Sequence, residues 1–350
     1  MRLLIAGDKL KLFHLKEFGE TLKKQGHDYR LVYDADVYSG FPTKKISSWF
    51  TTKHKFKKLV KEFKPDAVFA DRFMHFSMAT IEEKIPLFAH LRGDYWTELM
   101  WYKKTIYKTP HTRFALWYLD RMVNKCLKDA TRIYPICSYL KDIVDTRYPN
   151  KSTVLYQGIN SSRWYKTDGM DLKHPCVGLV QSANVWVKTK ELLLLPRILE
   201  KFPNVMFYWV GGGTYQDRIL SKLTKYDNFK WLGVLEYYDK IRDFLSEIDI
   251  YCLMSGLDMS PLTLQEAQLM EKPVIATKVA GIPEIMSDNN TGYLVGKDNA
   301  QEWIQSLSIL LNDTKKSNMM GKMGKKFVEK EFNWEKITRD FVSSITNTIM

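Results

Sequence analysis

The chain has 350 residues, of which 45% are hydrophobic and 27% are charged. This length suffices for two domains, and this composition excludes a disordered chain. The net charge is +13, and residues 1–164 hold 30 Lys and Arg against 17 Asp and Glu, whereas the remainder holds 23 of each. We therefore expect the first half, and not the second, to face something anionic.

The opening segment "MRLLIAGDKL" has only a short apolar run before Gly7. The run is too short for the core of a signal peptide, so it predicts a first strand. No run approaches the roughly 20 apolar residues of a membrane-spanning helix. We therefore expect a cytoplasmic protein that could still lie on a membrane surface. The four cysteines are scattered without metal-ligand spacing, which predicts reduced, buried thiols.

Short apolar runs alternate with segments of helical periodicity along the whole chain. The predicted strands are "RLLIAG", "YRLVYD", "DAVFAD", "IPLFAHL", "RIYPIC" and "STVLYQ" in the first half, then "CVGLVQ", "VMFYWVGGG", "FKWLG", "IDIYCLMS" and "KPVIAT". Such alternation predicts an α/β fold with parallel sheets. A polar stretch at 157–175 marks a domain boundary. We expect two Rossmann-like, doubly wound domains facing each other across a cleft, with ligands at the carboxyl ends of the strands.

Residues 44–64 carry eight lysines and one acid. Their apolar residues recur at helical spacing: Ile46, Trp49, Phe50, Leu59, Val60 and Phe63. A domain helix with a solvated lysine face explains this pattern. The segment "WYKKTIYKTPHTRFALWY" (101–118) adds interleaved aromatic and basic residues. Together the two segments suggest a peripheral membrane face, with aromatics at headgroup depth and lysines attracted to anionic lipid.

Two stretches of the first half are predicted to line the cleft. "IPLFAHLRGDYWTE" ends a strand at Arg92, and the carboxyl edge of a sheet is where chemistry is expected. Arg92 and Asp94 are candidates for acceptor or sugar contacts, whereas His90 is more simply a core histidine. The loop after Gly7, "GDKLKLFH", is either part of the cleft or a plain strand-to-helix turn.

The stretch "DMSPLTLQEAQLMEKPVIAT", residues 258–277, places two acids around the start of one helix. Ser260 is a good N-cap, Pro261 suits the first helical position, and the helix should run to about Glu271. Its free N–H groups and dipole suit a phosphate. Asp258 would lie at the mouth of this site. Glu266 would lie roughly 7–8 Å further along the axis, about the reach from a diphosphate to a ribose. A solvated Glu and an ordinary turn Asp would explain the pattern equally well.

Several motifs in a fixed order resemble glycosyltransferase family 4, the retaining nucleotide-sugar glycosyltransferases of the GT-B fold. Two acids eight residues apart match Asp258 and Glu266. The run "EAQLMEKPVIAT" matches the family's "EAMAxGxPVIAT", and "AGIPEIMSDNNTGYLV" matches "GGxPEII…GYLV". "VGGG" at 210–213, "WLGVLEYYDKIRDFLSEIDIYCLMSG" and "FNWEKITRDF" also fall in family order.

The resemblance implies a role for each matching residue. Glu266 would hold the ribose hydroxyls, Asp258, where the family usually has Glu, would hold the donor sugar, and Lys188 would neutralise the leaving diphosphate. The remaining implied donor contacts are the backbone of Met259, Ser260, Pro261 and Leu262 with the diphosphate, Gly211, Gly212 and Gly213 with the nucleotide, and Val234 and Leu235 with the base. A plain turn would also explain the three glycines.

The chain departs from the family pattern at two further places. The arginine that often precedes the family's lysine is missing from "VGLVQSAN", so either Lys190 or another cation replaces it or the phosphate is held more weakly. The first glycine of the pair before "PE" is Ala280. Neither departure removes the two acids or Lys188, so the resemblance still implies an active enzyme.

The resemblance also implies an organisation and a reaction. Residues 1–164 would form an acceptor-binding domain, 165–332 a donor-binding domain, and 333–350 a helix packing back toward the first domain. The enzyme would move a sugar from a UDP- or GDP-sugar to a hydroxyl of a glycan or lipid-linked acceptor, with retention and without a metal or other cofactor. The alternatives are a nucleotide-sugar epimerase and an inactive glycan-binding scaffold. A nucleic-acid-binding protein is less consistent with the chain, which lacks a recognisable module for it.

Overall fold

The structure, a computed structural model, describes residues 1–9, 12–43 and 46–349. It divides into two compact units, Met1–Gly158 with Trp334–Met350 and Ile159–Asn333. The boundary after Gly158 lies within the polar stretch, slightly before the predicted one after Trp164. Leu10, Lys11, Lys44 and Lys45, which belong to the segments discussed above, lie outside the described residues.

The first unit is built on a parallel sheet of strand order β2-β1-β3-β4-β5. Its strands are β1 (Arg2–Gly7), β2 (Asp28–Tyr33), β3 (Ala67–Ala70), β4 (Leu87–Leu91) and β5 (Arg132–Pro135). Its helices are α1 (Leu12–Lys24), α2 (Asp34–Val37), α3 (His54–Phe63), α4 (His75–Glu82), α5 (Tyr95–Thr105), α6 (Pro110–Asp129) and α7 (Ser138–Asp145). The sixth predicted strand, "STVLYQ", is wrong, because only Ser152 forms a bridge, with Ile133.

The C-terminal helix Trp334–Ile349 completes the core of the first unit. The ring of Phe341 lies 5.1 Å from that of Phe18 in α1 and 5.0 Å from that of Phe69 in β3. The hydroxyls of Tyr134 and Ser344 are 2.9 Å apart. The last helix therefore covers one face of this sheet, which explains why strands such as β3 are buried along their whole length.

The second unit contains a parallel sheet of order β11-β10-β9-β6-β7-β8. Its strands are β6 (Cys176–Val180), β7 (Met206–Val210), β8 (Phe229–Gly233), β9 (Ile250–Leu253), β10 (Val274–Thr277) and β11 (Gly292–Val295). Its helices are α8 (Trp186–Thr189), α9 (Leu195–Lys201), α10 (Gln216–Leu223), α11 (Asp239–Glu247), α12 (Leu262–Leu269), α13 (Ala300–Asn312) and α14 (Thr314–Glu331). Apolar periodicity did not single out β11.

Both units confirm the predicted doubly wound parallel architecture. In the second unit the chain runs outward from β6 to β7 and β8, then returns to form β9 on the other side of β6. The loops after β6 and β9 therefore diverge at their carboxyl ends. Such a switch in strand order opens a crevice, which is where ligands bind in this kind of fold.

Candidate active site

The loops that leave β6 and β9 are tied together at the switch point of the second unit. Gln181 brackets Met254, because its Nε2 donates to the Met254 carbonyl at 2.9 Å and its Oε1 accepts from the Met254 N–H at 3.1 Å. The N–H of Gly256 donates to the carbonyl of Lys188 at 3.3 Å. A Cβ on Gly256 would lie 2.3 Å from the Val187 carbonyl oxygen, so only glycine permits this approach.

This packing places Lys188 beside Asp258. The Lys188 Nζ lies 3.7 Å from the Asp258 Oδ1, and the two side chains remain 31% and 21% exposed. Asp258 is held in place, because Oδ1 also accepts from the Met259 N–H at 2.9 Å and its carbonyl accepts from Gly281 at 3.0 Å. A loose, accessible ion pair contributes little stability, but it leaves both charges available to a third charged group.

The start of α12 differs from the prediction. The helix begins at Leu262, and Pro261, with φ −68° and ψ 112°, takes the N-cap position that was assigned to Ser260. Among the described residues, the buried Ser260 Oγ has no hydrogen-bond partner. Because a proline ring offers no acceptor, no side chain caps this end. The predicted N-cap was therefore wrong, and the first N–H groups of α12 are left for another acceptor.

The end of α12 was also predicted too far along the chain. The helix stops at Leu269, because Glu271 adopts a left-handed backbone with φ +56° before Pro273. The short helix nevertheless contains Glu266 in its second turn, so the spacing between Asp258 and Glu266 around the helix start is retained.

Glu266 is a buried carboxylate on α12. The side chain is 1% exposed, and its Oε1 accepts a hydrogen bond of 2.7 Å from the Tyr237 hydroxyl. Within the described parts of the chain, Oε2 has no partner. Burial raises the pKa of Glu266 to about 7, although the bond from Tyr237 partly opposes the shift. A buried acceptor without a donor is costly, and a ligand hydroxyl would satisfy it.

Tyr237 is a site residue that the sequence analysis missed. It lies in the loop between β8 and α11, is 41% exposed, and has its ring tilted by 31° against that of Tyr238, with the two ring centres 3.9 Å apart. The same loop carries Val234, 79% exposed, and the half-buried Leu235. The two adjacent tyrosines in "WLGVLEYYDKI" were the available signal, but the sequence does not say which of them reaches an acid 29 residues later.

The three glycines after β7 are explained by packing between loops. Gly211 and Gly213 adopt φ +135° and +143°, where L side chains are strained. A Cβ on Gly211 would lie 2.1 Å from the Gln181 carbonyl oxygen, and one on Gly213 would lie 2.4 Å from Oδ1 of Asn184. Gly212 accepts from the Ala183 N–H at 2.9 Å. The alternative stated for these glycines, a turn requirement, therefore accounts for them without a nucleotide.

Lys190, the suggested replacement for the missing arginine, begins the 3-10 segment Lys190–Leu194 and is half-buried. Among the described residues, it forms no ion pair with Asp258; Lys188 does. Its neighbour Glu191 is buried and accepts from the Asp298 N–H at 3.0 Å. Lys190 can still contact a ligand from this position. Lys188, however, is the lysine that pairs with Asp258.

In the first unit, Gly7 and Arg92 lie near each other at the carboxyl edge of the sheet. Arg92 is partly buried, with 14% of its side chain exposed; its Nη1 lies 3.6 Å from the Asp71 Oδ2, and its Nη2 donates to the Gln157 Oε1. Burial lowers the pKa of Arg92, and Asp71 opposes that shift. A Cβ on Gly7 would lie 2.3 Å from the Leu15 Cδ1 and 2.8 Å from Asp71 Oδ1, so a larger residue would require these two side chains to shift. The sequence analysis missed Asp71 as a partner of this edge.

Asp94 and His90, the other two polar residues considered at this edge, both have structural roles. Asp94 is buried and caps α5, with Oδ1 accepting from the Thr97 N–H at 3.0 Å. Its carboxylate is thereby engaged in the fold. His90 is 6% exposed, and its ring stacks 5.2 Å from that of Phe69. His90 is thus packed in the core, as the sequence analysis expected from its position in the strand.

Comparison with known proteins matches part of the second unit to a family model. Residues 180–327 match the model described as "Glycosyl transferases group 1". The chain has the GT-B fold, and this part of its second unit is similar in sequence to group 1 glycosyl transferases. It is similar over 99% of its length to sucrose-phosphate synthase from Thermosynechococcus elongatus, with a TM-score of 0.76, 13% identity and 98% of that chain covered. Anabaena HepE in complex with UDP-glucose gives 0.72 and 16%, covering 99% of this chain and 100% of that one.

Relatives in sequence include an uncharacterized glycosyltransferase of Methanocaldococcus jannaschii, 26% identical over 59% of this chain and 57% of that protein. Spore coat protein SA of Bacillus subtilis is 22% identical over 62% of this chain and 65% of its own. The alignment thus spans less than two thirds of these two proteins. A Corynebacterium glutamicum GDP-mannose-dependent monoacylated alpha-(1-6)-phosphatidylinositol monomannoside mannosyltransferase is 25% identical over 89% of this chain and 84% of its own.

Proposed function

We propose that this chain is a retaining glycosyltransferase that moves a sugar from a nucleoside diphosphate sugar to a hydroxyl acceptor. The observation that carries the proposal is Glu266, a fully buried carboxylate whose Oε2 has no partner among the described residues, together with the Lys188–Asp258 pair at the switch point. Buried acceptors of this kind suit ligand hydroxyls, and the neighbouring free helix end suits phosphate.

The donor would lie along α12. The N–H groups at Leu262 and Thr263 would hold the diphosphate, and Glu266, four residues from the helix start, would stand about 6 Å along the axis and accept from the ribose. The loop of Val234 and Leu235 would lie beside the base. Asp258 would contact hydroxyls of the transferred sugar.

In the proposed reaction the bond between the sugar C1 and the diphosphate oxygen breaks, and a bond forms from the acceptor oxygen on the same face. The acceptor proton passes to the leaving diphosphate. Lys188 and the α12 dipole stabilise the negative charge that grows on the leaving group. This arrangement requires no metal or other cofactor for charge stabilisation.

The names of related proteins favour a UDP- or GDP-sugar as the donor. HepE was crystallised with UDP-glucose, and the C. glutamicum relative is described as GDP-mannose-dependent. A nucleoside diphosphate sugar of one of these two classes is therefore the proposed donor, and Tyr237 and Val234 lie on the loop that would distinguish them.

We further propose that the acceptor is presented at a membrane, and an aromatic cluster of the first unit supports this. The cluster comprises Phe41, Trp49, Phe114 and Trp117: the Phe41 ring lies 4.9 Å from Trp49 and 5.9 Å from Phe114, which lies 5.6 Å from Trp117. Trp49, Phe114 and Trp117 are 39%, 56% and 50% exposed. Aromatics left exposed in one cluster are typical of an interaction surface.

The lysines around this cluster support it less strongly. Lys53, Lys57 and Lys58 of the lysine-rich segment form ion pairs with Glu82, Glu83 and Glu62. Part of the charge excess is therefore neutralised locally, and the apolar contribution should dominate membrane binding. None of the described helices is long and apolar enough to cross a bilayer, so the proposed association is peripheral.

The deciding experiment is a thermal-shift screen of wild type and Glu266→Ala against UDP-, GDP- and ADP-sugars. Ligand at about 100 times Kd stabilises the folded form by roughly 2.7 kcal/mol. A shift with one nucleotide class that is lost in Glu266→Ala supports the donor site, and subsequent turnover to a free nucleotide supports transfer. Binding without turnover would support an inactive scaffold. No shift with any nucleotide would contradict the proposal.

A further inference from the structure

Three side chains with metal-binding atoms meet at the amino-terminal edge of the second sheet, away from the candidate active site. His174 and Cys176 lead into β6, and Asp249 directly precedes β9. Because Val177 pairs with Ile250 in the sheet, Cys176 and Asp249 are neighbours. One ligand atom from each of the three side chains lies within 4.8 Å of the others.

The ring of His174 is oriented as it would be around a metal ion. Its Nε2 lies 2.8 Å from Oε1 of Glu247, and its Nδ1 lies 2.9 Å from Oδ2 of Asp249 and 3.8 Å from the Cys176 Sγ. In metalloproteins a carboxylate commonly accepts from the second ring nitrogen of a ligating histidine and so fixes the tautomer. Glu247 is placed to do this, which directs Nδ1 toward the other two ligands.

We propose that His174, Cys176 and Asp249 bind one Zn²⁺ ion. Imidazole, thiolate and carboxylate are the donors that zinc uses, and tetrahedral Zn–S and Zn–N bonds would separate Sγ from Nδ1 by roughly 3.5 Å. The separation of 3.8 Å is close to this value. The His174 and Asp249 side chains are 41% and 43% exposed, so an ion can enter and water can take the fourth position.

Binding exchanges protons for the metal. Bonds form from zinc to Nδ1, Sγ and a carboxylate oxygen, and solvent takes the thiol proton and the Nδ1 proton of the imidazolium. The ion would fasten the segment that precedes β6 to the start of β9. Its role is therefore structural and independent of the proposed transfer reaction.

The alternative is that no metal binds and that the His174 ring carries a second proton instead. Both carboxylates that face the His174 ring raise its pKa, and an imidazolium bridging Glu247 and Asp249 would also satisfy the ring. The two assignments differ in a measurable way, because zinc would bind the Cys176 sulfur, whereas an imidazolium would be stabilised by the two carboxylates without it.

The test is a titration of the full-length, tag-free, chelator-treated protein with Co²⁺, followed by displacement with Zn²⁺. We expect a near-ultraviolet sulfur-to-cobalt charge-transfer band that saturates at one ion per chain. Cys176→Ser should lose the band and weaken Zn²⁺ binding at least about 100-fold, more than a residue outside the ligand set does. Cys126→Ser, which removes a buried thiol of the first unit, is the matched control and should bind normally.

Glu247→Gln tests the orienting carboxylate without removing a ligand. It should keep the band and weaken zinc binding by roughly 10- to 100-fold. The proposal is overturned if wild type shows no saturable band, if the band persists in Cys176→Ser, or if Glu247→Gln leaves the affinity unchanged. Should Cys176→Ser fail to fold, the wild-type titration and Glu247→Gln still decide between the two assignments.

Discussion

Tyr237 donates a hydrogen bond to Glu266, with 2.7 Å between its hydroxyl and Oε1 of the carboxylate. This bond connects the segment after β8 to the helix after β9. It opposes the burial that raises the pKa of Glu266 to about 7. The protein therefore keeps a carboxylate near its titration midpoint at neutral pH, in the position proposed for a ribose.

Glu266 should make stability depend on pH in the absence of a ligand. The unfolded chain releases this proton near pH 4.5, whereas the folded chain keeps it until about pH 7. Stability should therefore fall as pH rises through that window, by up to about 3 kcal/mol at roughly 1.4 kcal/mol per unit. Glu266→Gln removes the titration, so it should be more stable than wild type above pH 7 and similar near pH 4.

Urea unfolding of both proteins between pH 4 and pH 8 checks this prediction. Glu200→Gln is the matched control, because Glu200 is exposed and also accepts a 2.7 Å bond from a tyrosine, Tyr226. The control should follow wild type across the range. Parallel pH profiles for wild type and Glu266→Gln would show that Glu266 is not protonated in the folded state.

Tyr237→Phe should weaken nucleotide binding without abolishing the fold. Losing one hydrogen bond is worth about 0.5–1.5 kcal/mol, so the donor Kd should rise roughly two- to tenfold. The loss of affinity should be larger above pH 7, because Glu266 is ionised there and the missing hydrogen bond from Tyr237 would no longer stabilise its charge. Calorimetric titration with the nucleotide selected by the thermal screen measures the change. Tyr226→Phe removes the equivalent surface bond and should bind normally; equal losses in both variants would contradict the assigned role.

Lys188→Met should reduce turnover far more than it reduces stability. If Lys188 stabilises the leaving diphosphate, kcat should fall about 10²- to 10³-fold. Loss of its accessible pair with Asp258 should change the free energy of unfolding by less than about 1 kcal/mol. Release of nucleotide from the selected donor gives the rate. Lys190→Met, two positions away, is the control, and a larger loss there would transfer the role to Lys190.

The sheets could be predicted from the sequence because their strands are continuous apolar runs. Strands such as β9 and β10 are buried along their whole length, so their composition reflects burial on both faces. "STVLYQ" also contains a short apolar run but forms only one bridge, whereas the short "GYLV" of β11 pairs fully with β10. In both cases, whether the segment forms a strand depends on the partner it pairs with, which local composition does not encode.

The candidate site was predictable only where motif and local geometry coincide. Asp258, Lys188 and Glu266 lie in segments with family-like spacing, and the structure brings Lys188 and Asp258 together. The partner of Glu266 comes from another loop, and Asp249 stands 73 residues from the Cys176 it contacts. Contacts of this range depend on strand order, so spacing along the chain could not reveal them.

Ala280 should be a site of backbone strain. It replaces the first glycine of the family-like pair and adopts φ +46°, a left-handed conformation that costs an L residue roughly 1–2 kcal/mol. Glycine removes this strain but adds entropy to the unfolded chain, about 0.4–1 kcal/mol. Ala280→Gly should therefore stabilise the protein by up to about 1 kcal/mol. Urea unfolding measures it, and Ala300→Gly in α13 should destabilise; a loss of stability in Ala280→Gly would refute the strain.

The aromatic cluster should set the affinity for membranes. Phe50, adjacent to Trp49 of the cluster, is 80% exposed, and Trp117 is 50% exposed. Burying a large apolar side chain is worth about 1.5–3 kcal/mol, so Phe50→Ser and Trp117→Ser should each weaken binding to anionic vesicles about tenfold or more. Sedimentation with vesicles of mixed neutral and anionic lipid, at low and high salt, measures the affinity. Because several lysines are already paired, we expect much of the binding to survive high salt.

Met319→Ser, which removes a residue of the second unit that is 57% exposed, is the control and should bind like wild type. Absence of wild-type binding to anionic vesicles at low salt would remove the membrane from the proposed function and leave a soluble acceptor.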